Sequence, residues 1–325
     1  MLEYNKKSAR KWSIIGERPT FGMSVHELAK ENENILVVAA DVVNSAGLDR
    51  MRAEMPGRII NTGIAEQNMM GIATGLSSEG YTVFTVSFAP FQAMRCLEQI
   101  RVYQGYMGQK VIMTGLAGGV AYGELGHTHC TIEDVSILRS IPNIAVVSPA
   151  DCMETAKIVE AAARYETSVY IRLLDKTNIP IIYKEDYDFQ IGKAVPLVEH
   201  GDIAILANGT MVAPALKAAE AWNHDHNLKV AVYDFHTIKP LDTDLLDSLT
   251  GCRALITVEE HSVIGGLGSA VSEYYSSLIK KPAIFMMGIP DEYCHGASHE
   301  TILNRYNLTF GGINRKLKEV MEVTK

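Results

Sequence analysis

Cysteine is scarce in this sequence, and what there is lies scattered. The five cysteines, Cys96, Cys130, Cys152, Cys252 and Cys294, are odd in number and never closer than 22 positions. That spacing offers neither a disulfide framework nor a CxxC metal or redox pair. Long apolar runs are missing too: no stretch approaches the length needed to span a bilayer. The opening segment MLEYNKKSARKWSIIGERP carries basic residues but no apolar core of signal-peptide length. Positive charge is in deficit, with 30 Lys and Arg against 38 Asp and Glu and a net charge of −8. The deficit argues against nucleic acid or an anionic membrane as a general partner, although a local basic pocket for a small anion is compatible with it. These absences lead us to expect a soluble, cytoplasmic protein with reduced thiols.

Its 325 residues, 47% hydrophobic and 21% charged, suffice for two ordinary domains and leave little room for disorder. Short apolar runs alternate with amphipathic ones. ILVVAA, YTVFTVSF, KVIMTGLAG, IAVVS and SVYIRLL read as buried strands; SVHELAKEN, AEQNMMGIATGL and ADCMETAKIVEAAARY read as helices, the last opened by a capping box of Asp151 and Glu154. The alternation lapses after Asp175 and restarts with DIAILAN, KVAVYDF, ALITVEE and PAIFMMG between helical APALKAAEAWN, LDTDLLDSL and GSAVSEYYSSL. We therefore expect an α/β protein of two three-layer domains with mainly parallel sheets, at residues 1–178 and 195–325, joined by a linker at 179–194. Ligands of such sheets sit beyond the carboxyl ends of the strands.

Three features carry chemistry. Glu66 shares a helix face with Met69, Met70 and Ala73, so a carboxylate stands on the side meant for burial. Its plainer explanation is a first-turn acid that favours the helix dipole or pairs with an arginine such as Arg58. Phe88 and Phe91 lie three apart at a strand end, with Met94 one turn on; they form either a core pair or an apolar slot for a flat heteroaromatic ring. Between them and the next helix runs a long loop with glycines at 115, 118, 119, 123 and 126, carrying His127 and His129. An H-x-H pair raises zinc, but a third ligand from Cys130 or Glu124 would come at awkward spacing, and we assign no metal ligand in this chain. In VEEHSVIGGLGSAV, the glycines fit a tight turn before a helix, so we give that domain an assembly role and leave Glu259, Glu260 and His261 without a catalytic one.

In order, GIAEQNMMGIATGLSSEGY, VSFAPF, GELGHTH…IEDVSILRSIPNIAVVSPAD and TIKPLDTDLL…ALITVEEHSVIGGLGSAV…GIPDEY resemble the C-terminal half of a transketolase. The match spans nearly the whole chain: a thiamine-diphosphate-binding domain of the pyrimidine type followed by a transketolase C-terminal domain. The resemblance implies that Glu66 hydrogen-bonds the N1′ nitrogen of the cofactor's aminopyrimidine and so promotes removal of the thiazolium C2 proton. It puts Phe88, Phe91 and Met94 around that ring, with Met94 where transketolases often carry tyrosine, and His129 against the donor ketose. The GDG and downstream asparagines that bind Mg²⁺ and the diphosphate are missing. A second polypeptide is expected to bring them, in an α2β2 assembly. Ser45, His127 and Arg172 are the substrate-binding candidates, although Leu125 replaces an aspartate of the family pattern and Asp175 stands where a phosphate-binding arginine is expected. The implied reaction moves a two-carbon ketol unit from a phosphorylated ketose to an aldose. The alternatives are the beta subunit of a 2-oxo-acid dehydrogenase, a 1-deoxyxylulose-5-phosphate-synthase-like enzyme, and a non-catalytic α/β regulatory or scaffold subunit.

Overall fold

The computed structural model describes residues 2–324. Its strands are β1 (Ile35–Ala39), β2 (Ile59–Asn61), β3 (Thr82–Phe88), β4 (Ile112–Leu116), β5 (Ile144–Val147), β6 (Ser168–Arg172), β7 (Val195–Val198), β8 (Ile203–Ala207), β9 (Val230–Asp234), β10 (Thr237–Lys239), β11 (Ala254–Ser262) and β12 (Ala283–Ile289). They form two sheets, ordered β10-β5-β6-β4-β3-β1-β2 and β12-β11-β8-β9-β7. Pairing is parallel except for β10 on β5 and β7 on β9. β1, β4, β5, β8, β9 and β11 are buried along their whole length. This is why they read as mostly apolar runs rather than alternating ones, with buried Glu259, Glu260 and His261 in β11 the main exception.

The helices are α1 (Lys6–Ile15), α2 (Glu17–Glu31), α3 (Asp49–Glu54), α4 (Glu66–Ser78), α5 (Leu97–Ile100), α6 (Asp134–Arg139), α7 (Cys152–Arg164), α8 (Val212–Asp225), α9 (Thr243–Ser248), α10 (Leu267–Ser276), α11 (His299–Arg305) and α12 (Phe310–Val323). No helix among the described residues is long and apolar enough to cross a membrane. At the start of α7, Asp151 accepts from the Glu154 N–H at 2.9 Å. The Glu154 carboxylate turns back to the Ala150 N–H at 2.7 Å, one residue beyond the N-cap N–H that a capping box would bond.

The second oxygen of Asp151 accepts from the Ile182 and Tyr183 N–H groups at 2.9 and 2.8 Å, which pins the segment after residue 178. The Tyr183 and Tyr187 rings stack at 4.1 Å, and their hydroxyls donate to Asp234 and Glu154. The expected linker is thus packed chain rather than a loose tether. The division by sequence is also crossed within a sheet, where β10 leaves the second half to pair with β5 of the first sheet. The Lys239 ammonium there bonds the carbonyls of Arg139 and Ile141, and the Ser148 N–H donates to the His236 carbonyl. A three-residue strand has no periodicity of its own, and its placement comes from these long-range bonds.

Glu17, the first residue of α2, is 1% exposed and accepts from the Leu174 N–H at 2.6 Å. Burial pushes its carboxyl up to about 8, against that hydrogen bond; Asp151 and Glu260 push the same way, and Arg172 opposes them. A raised carboxyl contributes stability in full below its ordinary range and loses it as pH rises through the folded value. The Glu17→Gln variant should match the parent in thermal denaturation near pH 4 to 5. It should become progressively the more stable of the two up to pH 9. A gap independent of pH would show that Glu17 does not titrate in this window.

Candidate active site

Past the carboxyl end of β2, the Asn61 side chain accepts from the Asp41 and Gly63 N–H groups at 3.0 and 3.1 Å, and Gly63 takes a φ of 69°. This turn delivers the chain into α4 with Glu66 as its first residue. Glu66 is 3% exposed, and Met69, Met70 and Ala73 behind it are fully buried, so the acid does lie on the apolar face. Its partner is Arg95: one guanidinium nitrogen sits 2.8 Å from each carboxylate oxygen. Arg58 bonds the Glu33 carbonyl instead. Arg95 is 45% exposed and its guanidinium carbon lies 4.2 Å from the Phe91 ring centroid. A buried acid therefore meets a base that reaches solvent.

Phe88 closes β3, and Phe91 opens a π-helical turn over Phe91–Arg95 that also carries the half-buried Met94. Widened turns of this kind recur at functional sites. The glycine-rich loop after β4 brings in two more rings. Phe88 lies 5.5 Å from Tyr122, Phe91 5.6 Å from His129 in an edge arrangement, and Tyr122 6.5 Å from His129. His129 Nδ1 is 3.0 Å from the Thr128 hydroxyl. The Tyr122 hydroxyl is 3.4 Å from the Arg18 guanidinium, which is ion-paired with Asp175. Burial, with Asp175 adding to it, pushes that phenol up to about 12. Tyr122, Arg18 and Arg95 escaped the sequence reading, and Asp175, noted there only as a departure from the family pattern, pairs with Arg18. The one available signal was the position of Arg95, four residues after Phe91.

Glu66, Phe88, Phe91, Met94 and His129 thus come together at the carboxyl edge of the first sheet, while the remaining candidates lie apart. His127 turns to the second domain, with Nε2 3.2 Å from the Cys294 sulfur and its ring 4.4 Å from Tyr293. Ser45 is half-buried in the loop between β1 and α3, a loop that packs through Gly47 against Arg18 and Pro19. Arg172 is engaged in the interior. It is 9% exposed, its Nε is 2.9 Å from buried Asp134, and one terminal nitrogen donates to the Thr131 and Glu260 carbonyls, both at 3.0 Å. Engaged this way in the interior, it is not placed to meet a substrate phosphate. Among the described residues, no group of three or more His, Cys, Asp or Glu is arranged to hold a metal ion.

A desolvated carboxylate beside an aromatic slot can take a flat nitrogen heterocycle and share a proton with a ring nitrogen, while the facing histidine contacts a second reactant. The chain is also similar to known proteins. The families described as "Transketolase, pyrimidine binding domain" and "Transketolase, C-terminal domain" match residues 16–180 and 192–313. One of the subunits of apulose-4-phosphate transketolase from Phocaeicola vulgatus is 36% identical over 95% of this chain and 99% of that protein. A 6-deoxy-6-sulfo-D-fructose transketolase subunit from a Clostridium species is 36% identical over 94% of each. A solved structure described as "Split gene transketolase, inactive beta4 tetramer" superposes with a TM-score of 0.84 at 36% identity, over 95% of this chain and 99% of that one. Campylobacter jejuni transketolase shares the fold at a TM-score of 0.77 and 19% identity, over 94% of this chain and 46% of that one. With both domains matched in order and relatives of the same extent, the chain belongs to the transketolase family, as its pyrimidine-binding and C-terminal domains on one polypeptide.

Proposed function

We propose that this chain is the pyrimidine-binding subunit of a heteromeric, thiamine-diphosphate-dependent transketolase. The observation that carries the reading is Glu66, buried at a helix start and bound to Arg95, whose guanidinium lies over the Phe91 ring that in turn meets His129. Relatives of the same length are named as transketolase subunits, which supports a two-polypeptide enzyme. Bound thiamine diphosphate supplies a nucleophilic carbon for the ketose carbonyl. The residues here fit the aminopyrimidine end of that cofactor: a carboxylate acceptor, aromatic faces on neighbouring segments, and the half-buried Met94 on the same turn as Phe91. Glu66 holds and returns a proton at the ring nitrogen, which requires Arg95 to release the carboxylate. His129 orients the substrate hydroxyls.

Mg²⁺ and the diphosphate fall to a partner subunit, and an α2β2 particle would complete two such sites. The five free thiols suit a reducing compartment, and we assign the enzyme to the cytoplasm. Its reaction, in our reading, transfers a two-carbon ketol unit from a phosphorylated ketose to an aldose. The test is reconstitution. Each purified chain alone should be inactive, and the mixture with thiamine diphosphate and Mg²⁺ should move ketol units between ketose and aldose phosphates. A stable, cofactor-loaded complex that instead decarboxylates pyruvate, or that turns over no ketose, would overturn the proposal.

A further inference from the structure

The second domain reaches into the site through a residue that the chemistry above does not use. Glu260, on β11, is 3% exposed, and every polar contact of its carboxylate is made inside the protein. One oxygen accepts from the Val120 N–H at 2.9 Å and from His299 Nε2 at 2.9 Å; the other accepts from the Thr210 hydroxyl at 2.7 Å. The Lys176 ammonium contacts Nδ1 of His299 on the other side of the ring. Burial by itself would raise the acid, but His299, Arg172 and Thr210 outweigh it and bring the carboxyl down to about 2. The group is therefore a fixed anion across the working range.

What it grips is the neck of the glycine-rich loop. The Gly119 N–H donates to the Thr131 carbonyl at 3.0 Å and the Thr131 N–H to the Gly119 carbonyl at 2.8 Å, closing the loop on itself. Arg172 holds the Thr131 carbonyl and the Glu260 carbonyl from the far side. Gly119 has a φ of 69°, and a Cβ there would stand 2.3 Å from the bonded Glu260 oxygen, so the acid and the loop backbone meet at a distance only glycine permits. Between Gly119 and Thr131 lie Tyr122 and His129, the two rings that complete the wall with Phe88 and Phe91.

We propose that Glu260 is a positioning residue: from the second domain it fixes the backbone at Gly119–Val120 and so sets Tyr122 and His129 against the cofactor slot. The kinetic consequence rests on the transketolase reading, and the loop consequence rests on geometry alone. Without the carboxylate, the Val120 N–H is left buried and unpaired, at the cost of a full hydrogen bond.

Hydrogen exchange on the full chain tests the loop. Glu260→Leu should speed exchange of amides 119–131 by about tenfold or more while the strands of the first sheet stay protected. Glu260→Gln, which keeps an acceptor for Val120, should stay within about threefold of the parent. Should Glu260→Leu lose sheet protection as well, Gly119→Ala supplies the test, since its Cβ must displace the same oxygen; it should free the same amides and leave the sheet intact. In the reconstituted enzyme, Glu260→Leu and Gly119→Ala should lower kcat/KM for the ketose by at least about tenfold, with thiamine diphosphate affinity changed less than about threefold. Glu66, Phe88 and Phe91 lie on other segments, which is why binding and turnover should separate. Unchanged loop exchange in a folded Glu260→Leu or Gly119→Ala variant, or a Glu260→Gln variant as damaged as the leucine one, would overturn the proposal. If the parent enzyme transfers no ketol unit, the functional reading fails and the exchange data still decide the role of Glu260.

Discussion

Alanine at position 66 should lower ketol transfer by the reconstituted enzyme by about 10²- to 10⁴-fold, the range of a lost general acid–base group. The fold should survive. The helix that follows is held by Met69, Met70 and Ala73 rather than by the acid, and Arg95, already 45% exposed, can turn to water when its partner goes. Loss of the pair also removes a buried anion, so thermal stability should stay close to the parent. Glu66→Gln should be impaired as severely in turnover, since an amide offers the ring nitrogen no exchangeable charge. Arg95→Gln separates the two jobs of the site. If Arg95 only neutralises the acid until a ring nitrogen takes its place, its loss should leave turnover within about tenfold and tighten, not weaken, cofactor binding. Turnover of Glu66→Ala within tenfold of the parent would remove Glu66 from the chemistry.

The sequence disclosed what depends on short-range pattern. Buried parallel strands show as mostly apolar runs, and the helix face shared by Glu66, Met69 and Met70 shows at a spacing of three and four. The Phe88–Phe91 pair was legible for the same reason. What stayed hidden depends on distance along the chain. Arg95 lies 29 positions from Glu66, and a π-helical turn, invisible in any helical pattern, aims it back. Arg58, nearer in sequence, is taken up by a backbone carbonyl. The crossing of β10 into the first sheet and the grip of Glu260 on Val120 span 90 and 140 positions. Local composition could not announce either one, and assigning the second domain to assembly alone overlooked a contact that reaches the site loop.

Arg172 separates a motif-based reading from a structural one most sharply. A substrate ligand could be replaced at little cost to the fold, with the penalty falling on KM for a phosphorylated sugar. The structure predicts the reverse. Asp134 is completely buried and is held by Arg172 and by the Tyr170 hydroxyl at 2.8 Å. Arg172→Met strands that carboxylate and frees the Thr131 and Glu260 carbonyls, so it should cost about 3–5 kcal/mol in urea denaturation. Adding Asp134→Asn removes the uncompensated charge, and the double variant should recover part of the loss, with a coupling of about 1–3 kcal/mol. A variant that keeps parental stability while KM for the ketose phosphate rises would restore Arg172 to the substrate site. A stability loss relieved by Asp134→Asn has no explanation in a ligand role, because only the buried pair links these two positions.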